Sequence, residues 1–120
     1  FSAIGTDRII LISDSMRATG LQDGSYDLGG QTVYVKDKKA TLADGTIAGS
    51  STNLMECVKK AISFGIPAED AIKCATLNPA KAIGVEQLCG SIQVGKYADF
   101  VILDKNDTVE QVYIKGKRFI

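Results

Sequence analysis

The sequence contains no histidine. That absence removes two large classes of chemistry at once. A Ser-His-Asp or Cys-His relay cannot be assembled from this chain alone. Neither can a His-ligated metal site. There is also no surplus of either charge, with 14 basic and 14 acidic residues balancing to zero. Binding to a phosphate backbone needs an excess of Lys and Arg on one face, so nucleic acid is excluded as a partner. No apolar run approaches the roughly 18 residues that a bilayer-spanning helix requires. No basic start, apolar stretch and small-residue cleavage site follow one another as in a signal peptide. No membrane partner and a cytoplasmic location are therefore expected.

Cysteine is scarce. Cys57, Cys74 and Cys89 are an odd set with no C-x-x-C spacing. Cys57 and Cys74 fall on apolar faces of helical periodicity, where a free thiol behaves as a small hydrophobe. They read as reduced structural thiols, with a disulfide or a thiol catalyst as the alternative. The chain opens FSAIG without an initiator methionine, and the expectation is a segment cut from something longer. Its 120 residues suit one modest domain or a piece of a larger one.

What is present divides by character. Residues 8 to 12, RIILI, are continuous and rich in β-branching, as in a strand covered on both faces of a parallel sheet. Residues 17 to 30 carry turn signals at Asp23-Gly24 and Gly29-Gly30. QTVYVKD then alternates with period two, placing Val33 and Val35 on one face. Asp37-Lys38 supplies a turn, so residues 31 to 43 predict a hairpin. Gly45 and Gly49 bracket a short loop, GTIAGS. Ser50, Ser51 and Thr52 are N-cap candidates for a helix through about Phe64, which Gly65 ends. Pro67 begins a second helix, with Glu69 and Asp70 in its first turn and Ala71, Ile72 and Ala75 as its buried side. Asn78-Pro79 reads as cap and first-turn proline of a third, closed by Gly84. Beyond residue 90 the text is all β, with a strand from Phe100 to Leu103 and alternation through Val109, Val112 and Ile114 to a turn at Lys115-Gly116.

Three places could carry chemistry. Asp14 stands at the C-terminal end of the apolar run, where α/β barrels gather catalytic groups because the strand ends converge on one pocket. A partly desolvated carboxylate there can take a proton from an attacking water and return it to a leaving amine. The alternative is an ordinary cap on the following turn. ADGTIAGSS, residues 43 to 51, has two glycines among small residues, which lets backbone groups approach a ligand. The serines after Gly49 could also open a helix whose free N–H groups bind an anion. The competing reading is a tight hairpin exit and a plain N-cap; the P-loop pattern is absent. Arg17 could pair with an anionic substrate or stand as a solvated surface group. Asn78 and Asp99 read as structural, the latter anchoring the start of a strand.

Taken together, TLNPAKAIGV followed by GSIQVGKYADFVILD resembles the C-terminal signature of the amidohydrolase superfamily. LISDSMRATGLQDGSYDLGG and LADGTIAGSSTNLMECVKKAI narrow the likeness. They are similar to the branch that deacetylates N-acetyl-D-glucosamine 6-phosphate. The resemblance covers nearly the whole chain, but only about the last third of such an enzyme. It implies an α/β fold: the C-terminal fragment of a metal-dependent (β/α)8-barrel hydrolase plus strands of a small β-sandwich, with an α+β arrangement in isolation. Residues 1–86 would be the end of the barrel and residues 87–120 the sandwich strands. It implies Asp14 as the catalytic aspartate, activating a metal-bound water and then protonating the departing amine. Ile47, Ala48 and Gly49 would line the substrate pocket. The divalent metal, zinc or iron, would be held by a Glu and two His on earlier strands, leaving this chain with no metal ligand and no bound metal of its own. The partner so implied is a small-molecule amino-sugar phosphate. A strand severed from its neighbours exposes two edges, so a homo-oligomer is also expected.

Overall fold

The computed structural model describes all 120 residues. It is an α+β chain with seven strands in two antiparallel sheets and three short helices. It divides into two compact units. One is residues 11–60, and the other combines residues 1–10 with residues 61–120.

The unit of residues 11–60 is a meander. Strands β1 (Gly24–Leu28), β2 (Gln31–Lys36), β3 (Lys39–Thr41) and β4 (Ile47–Ser50) lie in sequence order. The hairpin read from QTVYVKD forms as expected, with Tyr34 opposite Thr41 and Lys36 opposite Lys39. Asp37 and Lys38 both have positive φ, at 50° and 64°. That is the mirror-image turn whose twist matches the flanking strands. Val33 and Val35 point inward with Ala40, and Met16 and Ala18 complete a buried cluster flanked by Tyr26, Leu42 and Ala48.

Two strands occupy stretches read as loop. Within the Gly- and Asp-rich text, β1 puts only Tyr26 against the core, so no apolar alternation announces it. GTIAGS supplies β4, pairing Ala40 with Gly49 across a register shift at Ala40/Thr41. The RIILI expectation fails. Residues 9 to 14 are in no strand, and the extended stretch ends in an isolated parallel bridge between Ser15 and Ser50. A strand exists by virtue of its ladder partners, and nothing in these 120 residues pairs with residues 9 to 13. Ile10 and Ile12 are accordingly 41% and 73% exposed.

Helix α1 (Leu54–Ser63) begins past all three N-cap candidates, Ser50, Ser51 and Thr52. Its cap is Asn53, whose Oδ1 accepts the Glu56 N–H at 2.9 Å. Gly65, at φ 87°, closes it: Gly65 N–H donates to Ile62 O and Ile66 N–H to Ala61 O, the paired bonds of a left-handed C-terminal stop. Gly84 closes α3 in the same way, through Lys81 O and Ala80 O.

In the unit of residues 1–10 and 61–120, helices α2 (Ala68–Ala75) and α3 (Leu77–Ala82) hold the N-terminal segment. Of the expected buried side of α2, Ala71 is buried, Ala75 half-buried and Ile72 exposed, and Cys74 takes the second buried position. Asn78 is not a cap. It lies inside α3, buried, and its Nδ2 donates to Thr6 O and Ile9 O at 2.7 Å each. Cys74 Sγ donates to Thr6 O at 3.3 Å, and Lys73 pairs with Asp7. Gly90 packs so close to α3 that a Cβ would meet Ala80 Cβ at 2.7 Å. The three cysteines are free thiols, and burial pushes those of Cys57 and Cys74 above their ordinary value.

Strands β5 (Phe100–Leu103), β6 (Val109–Ile114) and β7 (Lys117–Arg118) form the second meander. Phe100 and Tyr113 are opposite one another and stack at 4.5 Å. Asp99 anchors the sheet as expected, accepting the Lys115 N–H at 2.6 Å. Asp104 ties the β5–β6 loop, its Oδ1 accepting from Thr108 N–H at 2.7 Å and Asn106 N–H at 2.8 Å.

Two outcomes follow from these contacts. Asn78→Ala removes both bonds and leaves Ile9 O without its donor, while Thr6 O keeps those from Cys74 Sγ and Ile9 N–H; it should cost about 2 kcal/mol in urea unfolding, and an unchanged midpoint would remove Asn78 from that role. The second concerns acid. The N–H of Thr108, then that of Asn106, hold the Asp104 carboxyl below its ordinary value of 3.8. A depressed folded value adds stability above the unfolded value and loses it as pH falls through the folded one. The urea midpoint should therefore be flat above about pH 5 and drop below about pH 4. Asp104→Asn, which keeps an acceptor but cannot titrate, should flatten part of that drop. An equal slope in the variant would assign the acid sensitivity elsewhere.

Candidate functional site

Strand β4 and the segment before Met16 are laced together by short-range groups on both sides. Ser50 N–H donates to Asp14 O at 2.9 Å, and Met16 N–H donates to Ser50 O at 2.9 Å. The Ser50 hydroxyl donates to Ser13 O at 2.5 Å. The Ser15 hydroxyl donates to Thr52 O and lies 2.7 Å from that of Ser13. Ser13, Ser15, Ser50 and Thr52 thus bracket one acid, where a single parallel bridge is the only regular pairing between the two segments.

The bracketed acid is Asp14. Its backbone is left-handed, at φ 50°, a region that Asp tolerates better than most residues. Gly49 faces it, buried, at φ 137°. A Cβ on Gly49 would lie 3.2 Å from Asp14 O and 3.7 Å from Asp14 Oδ2. Glycine is therefore required here twice, by its backbone angle and by the approach of the acid. The structure brings Asp14 and Gly49 together, residues 35 positions apart in sequence. Ala48, beside them in β4, is half-buried and packs on the Val33–Val35 cluster. Ile47 opens the strand with its side chain 65% exposed.

Other expectations are redirected. Asp14 is exposed rather than partly desolvated, so this chain alone does not supply the apolar surroundings that the end of a buried strand implies. The serines do not open a helix for an anion. Ser50 belongs to β4, Ser51 N–H donates to Lys38 O at 3.1 Å, and α1 is capped separately by Asn53. Arg17 forms an exposed ion pair with Asp27 at 3.7 Å.

Sequence reasoning passed over Ser13, Ser15 and Thr52 as parts of the site, and gave Ser50 a place in it only as the start of an anion-binding helix. The signal was present in the two hydroxyl-rich triplets, SDS and SST. What the sequence withholds is that they meet, because the bridge is set by the meander between them.

Gly49→Ala should strain the backbone and push against the Asp14 carbonyl. The expected loss is about 1–3 kcal/mol in urea unfolding of the chain. An unchanged midpoint would mean that neither the angle nor the close approach constrains position 49.

The profile of the amidohydrolase family matches residues 2–119. The chain is similar to N-acetylglucosamine-6-phosphate deacetylase of Caenorhabditis elegans, 41% identical over 113 residues, covering 92% of this chain and 27% of that protein. It superposes on the crystal structure of N-acetylglucosamine-6-phosphate deacetylase from Pasteurella multocida with a TM-score of 0.90 at 34% identity, covering 93% of this chain and 30% of the other. A mutant of the Mycobacterium smegmatis N-acetyl-D-glucosamine-6-phosphate deacetylase, in complex with N-acetyl-D-glucosamine-6-phosphate, matches with a TM-score of 0.86 at 34% identity. That match covers 98% of this chain and 32% of the other. The chain spans less than a third of the length of each of these relatives.

Proposed function

The chain belongs to the amidohydrolase family, and from that premise we propose that it is the C-terminal part of an enzyme that deacetylates N-acetyl-D-glucosamine 6-phosphate. The products are D-glucosamine 6-phosphate and acetate. Residues 1–86 contribute the end of a (β/α)8 barrel and residues 87–120 contribute strands of a β-sandwich. The exposed Ile10 and Ile12 are side chains that neighbouring barrel strands would cover. Loss of those neighbours leaves edges through which the isolated chain associates with itself.

One observation carries the reading: Asp14 and the Ile47–Gly49 segment are neighbours, with Asp14 Oδ2 3.7 Å from where a Cβ on Gly49 would stand. An acid able to move a proton is thereby set beside backbone and small side chains able to line a sugar. In the reaction, water attacks the acetamide carbonyl while the Asp14 carboxylate takes its proton. The tetrahedral intermediate collapses with cleavage of the C–N bond. Asp14 returns the proton to the nitrogen as it leaves, releasing the amine and acetate. Ile47, Ala48 and Gly49 hold the substrate beside that acid.

The family resemblance implies a divalent metal, zinc or iron. The residues of this chain do not fit one: it has no histidine, and no three acidic or cysteine side chains cluster. Ligands for a metal would belong to the remainder of the protein. A phosphorylated sugar substrate and free thiols suit a cytoplasmic enzyme. No helix is long and apolar enough to cross a membrane.

Asp14→Asn in the full-length protein should lower acetate release by on the order of 10³-fold or more, with metal content and fold retained. Near-normal turnover would remove Asp14 from proton transfer. A panel of N-acetylated amino-sugar phosphates and cyclic amides should give turnover on the former; cyclic-amide hydrolysis alone would reassign the substrate class.

A further inference from the structure

We propose that Ser50 is a positioning residue for Asp14, acting through its hydroxyl on the peptide that precedes the acid. The inference rests on the role given to Asp14 above. It deepens that role by naming what keeps the carboxylate aimed.

Ser50 reaches three of the residues around Asp14. Its N–H and C=O make the two backbone bonds, to Asp14 O and from Met16 N–H. Those bonds are available to any residue at position 50. The hydroxyl is different, because it depends on the side chain. It donates to Ser13 O and accepts more weakly from Thr52 N–H at 3.4 Å.

Ser13 C=O and Asp14 N–H belong to one rigid peptide plane. The orientation of that plane sets the φ of Asp14, which stands at 50°. A non-glycine residue in this region relaxes toward negative φ unless its surroundings prevent it. Relaxation would swing the Ser13 carbonyl and carry the carboxylate away from Gly49. The Ser50 hydroxyl holds the carbonyl on the N-terminal side of Asp14, and the Ser50 N–H holds the one on its C-terminal side. The acid is thus gripped at both of its flanking carbonyls by one residue. Both Ser50 and Ser13 are half-buried, so the bond between them is partly shielded from competing water. The hydroxyl makes no bond to the Asp14 carboxylate, so its action is on aim and not on the proton itself.

The test uses the full-length enzyme and the pair Ser50→Thr and Ser50→Val. Both introduced side chains are β-branched and suit a strand; they differ in a hydroxyl against a methyl. Ser50→Val should lower kcat by on the order of 10- to 100-fold with KM changed by less than about twofold. Ser50→Thr should keep kcat within about threefold of the parent. Equal kcat in the two variants, or a change confined to KM, would overturn the proposal. If Ser50→Val does not fold, Ser50→Ala replaces it with the same expectation. If neither folds while Ser50→Thr does, the hydroxyl serves stability and the proposal falls. Asp14→Asn run alongside separates the two levels. An active Asp14→Asn overturns the role of Asp14, whereas an inactive one with Ser50→Val matching Ser50→Thr overturns only the positioning by Ser50.

Discussion

Parallel pairing between the segment around Ser15 and the end of β4 is confined to one bridge, and the site hangs on it. An isolated bridge has no ladder on either side to share its load, so side chains must supplement the backbone. The hydroxyls of Ser13, Ser15 and Ser50 do so, and together they hold Asp14 in a backbone conformation it would otherwise leave. The buried cluster beneath, with Val33, Val35 and Ala40, fixes where β4 runs. Gly49 then decides how near the acid comes. Hydrophobic burial sets the platform; hydrogen bonds set the aim.

Core volume elsewhere is modest. Val33 and Cys74 are the largest side chains that are fully buried. Many larger ones stay in water, including Ile12, Phe64, Ile83, Ile92 and Phe119. In the unit built on residues 1–10 and 61–120, polar devices carry much of the specificity. Asn78 ties the first residues to α3, and Asp99 and Asp104 tie down the ends of the second meander. Such ties define geometry at little cost in apolar surface.

Local chemistry was the part legible in the sequence. The Val33–Val35 alternation, the Asp37–Lys38 turn, the Gly65 and Gly84 stops and the Phe100–Leu103 strand each depend on a few neighbouring residues, and each formed where the pattern put it. Residues 8 to 12 misled because β-branching states a preference, while a strand needs a partner that these residues do not meet. The strand at Gly24–Leu28 was hidden by the opposite circumstance: partners were available, but its own residues advertised turns. Asn78 was misassigned because an Asn before Pro looks the same whether it caps a helix or reaches across to another segment. At the site, Asp14 and residues 47 to 49 stood out singly. Their adjacency did not, since it is created by the four-stranded meander folding β4 back over 35 positions.

That meander has a consequence in time. Bringing residue 14 to residue 50 directly would mean closing a long loop at once. The intervening strands shorten it in stages, because β1–β2 and β2–β3 each close across a two-residue turn and hairpins form within microseconds. Each completed pairing reduces the free chain still to be searched, so the final contact is approached as a sequence of local steps with low contact order. During synthesis, all residues that set the acid in place have emerged once Thr52 is clear of the ribosome. None of the bonds that set the orientation of Asp14 comes from the helices or the last sheet.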